Sequence, residues 1–180
     1  MATAPTLPFV SVEEYLRTHY EPRCEYLDGV LKPKALPDYI HSKLQKLLLL
    51  FLAAQEQRLG IEGLPELHAR ITPTRWRLPD VCVLTQTPAD GRYPDSQTPP
   101  LFSIEIVSEG EPWTDLRGKL ADHLAMGIQT AIIADPYSKT VMVATQTQPL
   151  HEISAPLIVD IEVAGKGVLR IDFDDLYSRL

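Results

Sequence analysis

Two apolar runs in the sequence each carry a single carboxylate: Pro79-Asp80-Val81-Cys82-Val83-Leu84 and Leu101-Phe102-Ser103-Ile104-Glu105-Ile106-Val107. Strands that are apolar on both faces usually lie in the middle of a sheet, where helices cover them. A carboxylate buried there is costly unless it is paired or binds a metal ion. Two such acids on neighbouring strands could hold an oxygen-seeking cation such as Mg²⁺. Asp80 and Glu105 are therefore candidate metal ligands.

Ordinary structural roles account for the same residues. Pro-Asp before a strand is common turn chemistry, and Glu105 shares its strand face with Ser103, as expected if that face is wet. Lys119 has two interpretations as well. It either places an ammonium beside a metal site, or pairs with Asp115 at i, i+4 on a solvated helix face. Spacing alone favours the structural interpretations.

The rest of the chain alternates between helical and strand-like periods. We predict a helix over 11–19 from the Ser11/Glu14 capping box, and a β-hairpin over 24–32 around Asp28-Gly29. The remaining predicted elements are a helix over 39–59, strands over 67–71 and 76–84, an exposed loop over 85–100, a strand over 101–107, a helix over 115–126 capped by Thr114, strands over 130–134, 139–144, 157–163 and 168–171, and a short helix near Asp174. This order predicts a mixed α/β sheet flanked by helices.

Composition narrows the class of protein. The chain has 180 residues and a net charge of −7, which fits one domain and argues against coating nucleic acid through bulk charge. Its longest apolar run, 47–54, has eight residues, whereas a membrane span needs about 20. The N-terminus lacks a signal-peptide pattern, and Cys24 and Cys82 are too few for a disulfide framework or a zinc cage. We expect a reduced, cytoplasmic protein with no membrane partner.

Basic residues also cluster before the first acid. His68, Arg70, Arg75 and Arg77 form a stretch without acids that leads into Asp80. Two interpretations stay open for it, contact with phosphate or a solvated strand edge. The sequence contains no glycine-rich phosphate loop and no Ser-His-Asp signature. A lone histidine such as His41, at the start of the long helix, is more often structural than catalytic.

Short motifs follow one another in a characteristic order: Glu25-Tyr-Leu-Asp-Gly29, His41, Pro79-Asp80-Val-Cys-Val, Ile104-Glu105-Ile-Val-Ser108, Asp115-x-x-x-Lys119, Gly127 and Ile132-Ile-Ala-Asp-Pro136. This order resembles the Uma-type family of restriction-endonuclease-like bacterial proteins, within the PD-(D/E)XK nuclease superfamily. The resemblance runs from about residue 10 to the C-terminus. It implies a restriction-endonuclease-like core, in which a central mixed β-sheet is flanked by α-helices. We therefore expect a single domain over 1–180, with 1–10 as an N-terminal arm.

The resemblance also implies a catalytic set: Glu25, Asp80, Glu105 and Lys119. Within it, Asp80 and Glu105 are the metal ligands for Mg²⁺ or Mn²⁺, with the backbone carbonyl of Ile106 as a third, and Glu25 matches an upstream acid. The implied function is a metal-dependent endonuclease that hydrolyses phosphodiester bonds in DNA. We expect a homodimer, because two symmetric sites most simply cut both strands.

The chain departs from the family pattern around this set. The superfamily's lysine falls at Val107, and Lys119 matches a migrated position on the next helix. Where the family has Ser-Pro-Ser-Thr, this chain has Ser108-Glu109-Gly110-Glu111. His123 replaces the tyrosine that the family has one turn after the lysine, and Ala131-Ile132 replace the aromatic pair before Asp-Pro. These changes support an alternative function, a catalytically weak or inactive nuclease-like domain that acts as a binding or regulatory module.

Overall fold

The computed structural model describes residues 9–180, so most of the predicted N-terminal arm, 1–10, lies outside the described residues. The helices are α1 (Val12–Arg17), α2 (Tyr39–Ala53), α3 (Glu56–Leu59), α4 (Trp113–Met126) and α5 (Phe173–Ser178). The strands are β1 (Cys24–Leu27), β2 (Val30–Pro33), β3 (Glu62–Pro65), β4 (Ala69–Thr72), β5 (Arg75–Arg77), β6 (Val81–Leu84), β7 (Phe102–Ile106), β8 (Thr130–Asp135), β9 (Thr140–Thr145), β10 (His151–Glu152), β11 (Ile158–Val163) and β12 (Gly167–Asp172).

A six-stranded sheet forms the centre of the described chain, in the order β10-β9-β8-β7-β6-β3. The β7–β8 pair is parallel and the other pairs are antiparallel, so the sheet is mixed. The crossover between the parallel strands is α4, as parallel pairing requires a long connection. The predicted fold class, a central mixed sheet flanked by helices, is confirmed.

The two faces of this sheet are buried differently. Phe102, Ile104 and Ile106 of β7 belong to the main apolar core, to which α2, α5 and the β11–β12 hairpin also contribute. The opposite face packs against α4 through a smaller apolar cluster that includes Leu116 and Leu120. Because side chains alternate along a strand, β7 points Glu105 toward α4 rather than into the main core. The fold thus sets one acidic side chain between a sheet and a helix.

A second, four-stranded sheet has the order β2-β1-β5-β4. Its strands pack on α1 through an aromatic cluster of Tyr15, Tyr26 and Trp76. The rings of Tyr15 and Tyr26 stack with centroids 5.1 Å apart. This small sheet carries Glu25 and Arg77, which are both buried. It therefore delivers polar side chains to the edge of the central sheet.

Three predicted elements have different boundaries. A turn at 54–55 divides the helix predicted over 39–59 into α2 and α3. In this turn the Gln55 N–H donates to Leu52 O. Leu59, at the end of α3, lies in the core. The strand predicted over 76–84 is β5 and β6, in different sheets, because Pro79 has no N–H to continue a ladder. Helix α4 begins after Pro112, so Thr114 is not its N-cap.

Two further strands were not predicted as such. The chain forms β3 over Glu62–Pro65, which pairs with β6 at the edge of the sheet, while the strand predicted over 67–71 begins only at Ala69. The short strand β10 also lies outside the predicted elements. Between residues 9 and 180, no helix combines the length and the apolar character that crossing a bilayer demands.

Candidate active site

Asp80 and Glu105 come from adjacent strands of the central sheet. Asp80 directly precedes β6, and Val81 pairs with Ile104 of β7. Extending this antiparallel register by one residue sets Asp80 opposite Glu105. Both carboxylates are buried, Glu105 completely. The structure therefore brings together the two acids that the sequence singled out.

Asp80 is held by three donors. Lys34 Nζ lies 2.7 Å from Asp80 Oδ1, while the backbone N–H of Ile106 donates to Oδ2 at 2.8 Å. His41 Nε2 lies 3.3 Å from the same Oδ2. Burial by itself would raise the pKa of Asp80, but Lys34 and His41 outweigh burial and hold the pKa below its ordinary value. Asp80 is therefore ionised.

Glu105 is less completely paired. Lys119 Nζ lies 3.2 Å from Glu105 Oε2, but Glu105 Oε1 is buried without a hydrogen-bond partner. Burial raises the pKa of Glu105 above its ordinary value, although the Lys119 charge acts in the opposite direction. A buried acceptor with no donor is unusual and calls for an explanation such as a bound ion.

Lys119 lies on the face of α4 that meets the sheet. Besides Glu105, its ammonium contacts Glu111 Oε1 at 2.8 Å. Burial opposes the charge, but Glu105 and the other nearby carboxylates outweigh burial and raise the pKa of Lys119. Asp115 pairs with Lys32 Nζ at 2.6 Å instead. The i, i+4 pair of Asp115 with Lys119, one of the two interpretations, is therefore not the arrangement in the structure.

His123 closes the site behind Glu105. It is completely buried, and its Nδ1 lies 2.9 Å from Ser103 Oγ. Its Nε2 lies 3.5 Å from Glu105 Oε1, and neither atom has a hydrogen-bond partner. Burial lowers the pKa of His123 to about 3, so the ring is neutral. The neutral ring therefore lies beside Glu105 without adding a charge.

Glu25 is held by the basic stretch that precedes Asp80. Arg77 Nη1 lies 2.6 Å from Glu25 Oε2, and the Leu78 N–H donates to Oε1 at 3.2 Å. Arg77 also contacts Asp122 of α4 at 2.6 Å. The guanidinium therefore joins the small sheet to α4, directly beside the Pro79-Asp80 step.

The other arginines of that stretch are paired within the protein too. Arg75 contacts Asp28 at 2.5 Å and Asp122 at 3.2 Å, and Arg70 pairs with Asp95. All three arginines thus neutralise carboxylates of this chain. Arg77 matches neither of the two interpretations of the basic stretch, contact with phosphate or a solvated strand edge, because its side chain is only 5% exposed.

Two neighbouring surface openings lead to these residues. The first lies beside Asp80, and its polar lining comprises Lys34, His41, Glu66, Asp80, Ser108, Glu111 and Lys119. The second is a cavity of about 210 Å³, and the charged residues that line it are Glu25, Lys32, Lys34, Glu109, Glu111, Asp115 and Lys119. Lys34 and Lys119 line both openings. Asp80 borders the first opening and Glu25 the second, whereas Glu105 borders neither.

The family follows from comparison of the whole sequence. The sequence profile of the Uma2 family, described as "Putative restriction endonuclease", matches residues 12–161. The chain belongs to this family. No curated protein matches the sequence.

A solved structure has the same fold. A putative nuclease belonging to DUF820 from Anabaena variabilis is similar over 94% of this chain and 98% of that chain, with 23% identity and a TM-score of 0.79. A DrdV–DNA complex is similar over 73% of this chain and 10% of that chain, with 16% identity and a TM-score of only 0.37. The first of these supports the restriction-endonuclease-like core.

The donors present suit a hard divalent ion. No group of three or more His, Cys, Asp or Glu side chains within residues 9–180 is arranged to hold a metal. Asp80 and Glu105 nevertheless supply two neighbouring carboxylates, and Glu105 Oε1 is a buried acceptor without a donor. Carboxylate and carbonyl oxygens, completed by water, are the ligands that Mg²⁺ uses. The residues fit such an ion once the Lys34 ammonium no longer occupies Asp80 Oδ1.

Sequence reasoning missed two contributors to this site. Lys34 follows the β1–β2 hairpin, and only the folded position of that hairpin brings it to Asp80. Glu111 lies in the loop before α4, where the family pattern is broken. His41, for which the sequence favours a structural role, contacts Asp80. The only sequence signal for Lys34 is its charge. Two buried acids need cationic partners, and Lys34 and Lys119 supply them.

Proposed function

We propose that this protein is a metal-dependent endonuclease that hydrolyses phosphodiester bonds in DNA. The observation that carries the proposal is the pair Asp80 and Glu105, two buried carboxylates on adjacent strands, one of which has an oxygen without a donor. Membership of the Uma2 family supports a nuclease-like function. Lys119, within reach of both openings, supplies the positive charge that a phosphodiester would meet.

Each side chain has a separate task in this proposal. Asp80 and Glu105 would hold Mg²⁺ or Mn²⁺, with the Ile106 carbonyl as the proposed third ligand. Such an ion, when bound, polarises the phosphate and lowers the pKa of a water nucleophile. Lys119 stabilises the negative charge that builds on the phosphate oxygens, because its ammonium is already oriented by Glu105 and Glu111.

Glu25 and His123 act from the edges of the site. Glu25 lines the larger opening, and Arg77 with the Leu78 N–H hold its carboxylate in place. We therefore assign Glu25 to lining the site next to the reacting phosphate. His123 acts as a positioning residue, because it packs behind Glu105 and limits where that carboxylate can turn.

A second candidate function rests on the ion pairs themselves. Lys34 and Lys119 pair with the two acids, so each carboxylate has a cationic partner within the protein. That arrangement favours a nuclease-like domain with weak or no catalysis, which serves as a binding or regulatory module. Cation uptake separates the two functions, because an active site takes up Mg²⁺ or Mn²⁺ and a purely structural network does not.

A cleavage assay tests the nuclease proposal. The wild type, Asp80→Asn and Lys119→Ala are incubated with plasmid and oligonucleotide DNA in the presence of Mn²⁺. We expect Asp80→Asn to abolish cleavage and Lys119→Ala to slow it by about 100–1,000-fold, as for loss of one oxyanion-stabilising donor. Lys46→Ala, a change to an exposed lysine of α2, is the control and leaves cleavage unchanged. Cleavage at the wild-type rate by all the variants would refute the assignment.

We also propose that the active form is a homodimer. Cutting both strands of a duplex is done most simply by two copies of the site related by a two-fold axis. The net charge of −7 means that DNA must be attracted locally, through the lysines of the site, rather than by the whole surface. Light scattering at micromolar concentration is expected to give the mass of two chains, and the mass of one chain would refute the dimer.

A further inference from the structure

Lys34 occupies an unusual position for a lysine. Its side chain is only 9% exposed, and its ammonium donates to the Leu78 carbonyl and to Asp80 Oδ1, each at 2.7 Å. We propose that Lys34 is a built-in cation that holds the place of the divalent ion at Asp80 and must leave before the ion can bind. This inference rests on the proposed function, because it assumes that Asp80 is a metal ligand.

Only one oxygen of Asp80 is exchangeable. Oδ2 accepts the Ile106 N–H, a backbone donor that is fixed in β7, and it also contacts His41 Nε2. Oδ1 accepts from Lys34, whose long side chain can rotate. A divalent ion would bind Oδ1 at about 2.0–2.6 Å, close to an ammonium already at 2.7 Å from the same atom. Two cations that share one carboxylate oxygen repel each other, so the ion and the Lys34 ammonium compete for Oδ1.

The structure also offers Lys34 a place to go. Lys34 lines both surface openings, so its side chain borders the space through which solvent approaches Asp80. Glu66 lines the first opening, and its Oε1 lies 3.8 Å from Lys34 Nζ. The displaced ammonium can therefore pair with Glu66 instead of Asp80. Arg77 contrasts with this arrangement, because two carboxylates at 2.6 Å hold it from both sides.

Lys34 therefore lowers the affinity of the site for the divalent ion. Binding of the ion costs the wild type one charge-assisted hydrogen bond between Lys34 and Asp80. Lys34→Met keeps the length of the side chain and removes its charge, so we expect Mn²⁺ to bind this variant about 10–100-fold more tightly. Lys34→Arg keeps the charge, so it should bind Mn²⁺ no more tightly than the wild type.

Calorimetric titration with Mn²⁺ tests the inference without any cleavage assay. The proteins are the wild type, Lys34→Met, Lys34→Arg and the exposed control Lys46→Met. Tighter binding by Lys34→Met alone supports the inference. Equal or weaker binding by Lys34→Met overturns it, while the proposed function stands because the wild type still binds the ion. No binding by any of these proteins defeats the proposed function as well.

A second measurement covers the outcome in which Lys34→Met is poorly folded without the ion. Its Asp80 then lacks the Lys34 ammonium, so its melting temperature is expected to fall. Adding Mn²⁺ should raise the melting temperature of Lys34→Met, and of the alternative variant Lys34→Gln, more than that of the wild type. An equal or smaller rise in both variants contradicts the inference.

Discussion

Arg77→Met is expected to destabilise the protein strongly. The Arg77 guanidinium lies 2.6 Å from Glu25 Oε2 and 2.6 Å from Asp122 Oδ2. The side chains of Arg77 and Glu25 are 5% and 2% exposed. Methionine fills much of the same volume but leaves the Glu25 carboxylate buried without its cation. The substitution therefore tests whether the guanidinium, through Glu25 within the small sheet and Asp122 of α4, stabilises the packing of that sheet on α4.

The size of the effect follows from burial. Removing one partner of a buried ion pair costs about 3–5 kcal/mol, because the other charge stays buried and uncompensated. For a domain of this length, each kcal/mol lowers the melting temperature by about 2–4 °C, so the expected fall is roughly 6–20 °C. Arg75→Met is the matched control. Its guanidinium is 33% exposed, so the expected cost is about 0–1 kcal/mol.

Urea unfolding followed by circular dichroism gives the free energy of unfolding for each variant. The double variant Arg77→Met with Glu25→Gln removes the stranded charge as well, so it should recover part of the lost stability. Two results would refute the reasoning. One is an Arg77→Met variant as stable as Arg75→Met, and the other is a double variant that is less stable than Arg77→Met alone.

Two further predictions concern stability elsewhere in the chain. Asp38 Oδ1 accepts the His41 N–H at 2.8 Å as the N-cap of α2, so Asp38→Ala should cost about 1 kcal/mol in urea unfolding, and an unchanged midpoint would count against the cap. His68 Nδ1 lies 3.0 Å from the Tyr15 hydroxyl, and burial lowers the pKa of His68 below its ordinary value. The unfolded chain therefore gains a proton at this side chain first as the pH falls below about 6.5, so His68 contributes a decrease in the free energy of unfolding from pH 7 to pH 5. His68→Gln should reduce that decrease, whereas an unaltered decrease would show that other groups cause it.

The sequence allowed the sheet and the two acids to be predicted because both depend on local pattern. An apolar run with one carboxylate indicates a buried strand that needs a counter-charge, and this is how Asp80 and Glu105 were found. The order of motifs added Lys119, whose spacing alone favoured a solvated pair with Asp115. In the structure Lys119 pairs with Glu105, because the face of α4 that carries Lys119 packs against the sheet.

The remaining partners depend on contacts between distant parts of the chain. Lys34 and Asp80 are 46 residues apart, and Arg77 and Glu25 are 52 residues apart. No local period encodes such pairs, because they arise only when the small sheet packs beside the central one. The division of the predicted strand 76–84 has the same origin. Pro79 ends one ladder, and the chain then passes from the small sheet to the central sheet.

Direct titration of a divalent ion tests the central claim, that Asp80 and Glu105 form a metal site. Mn²⁺ is titrated calorimetrically into the wild type and into Glu105→Gln, which keeps the shape of the side chain and removes its charge. Lys46→Met, a change to an exposed lysine of α2, is a control that leaves both carboxylates in place. We expect saturable binding by the wild type and Lys46→Met, and loss of binding by Glu105→Gln. Absence of binding by the wild type, or equal binding by Glu105→Gln, would contradict the account.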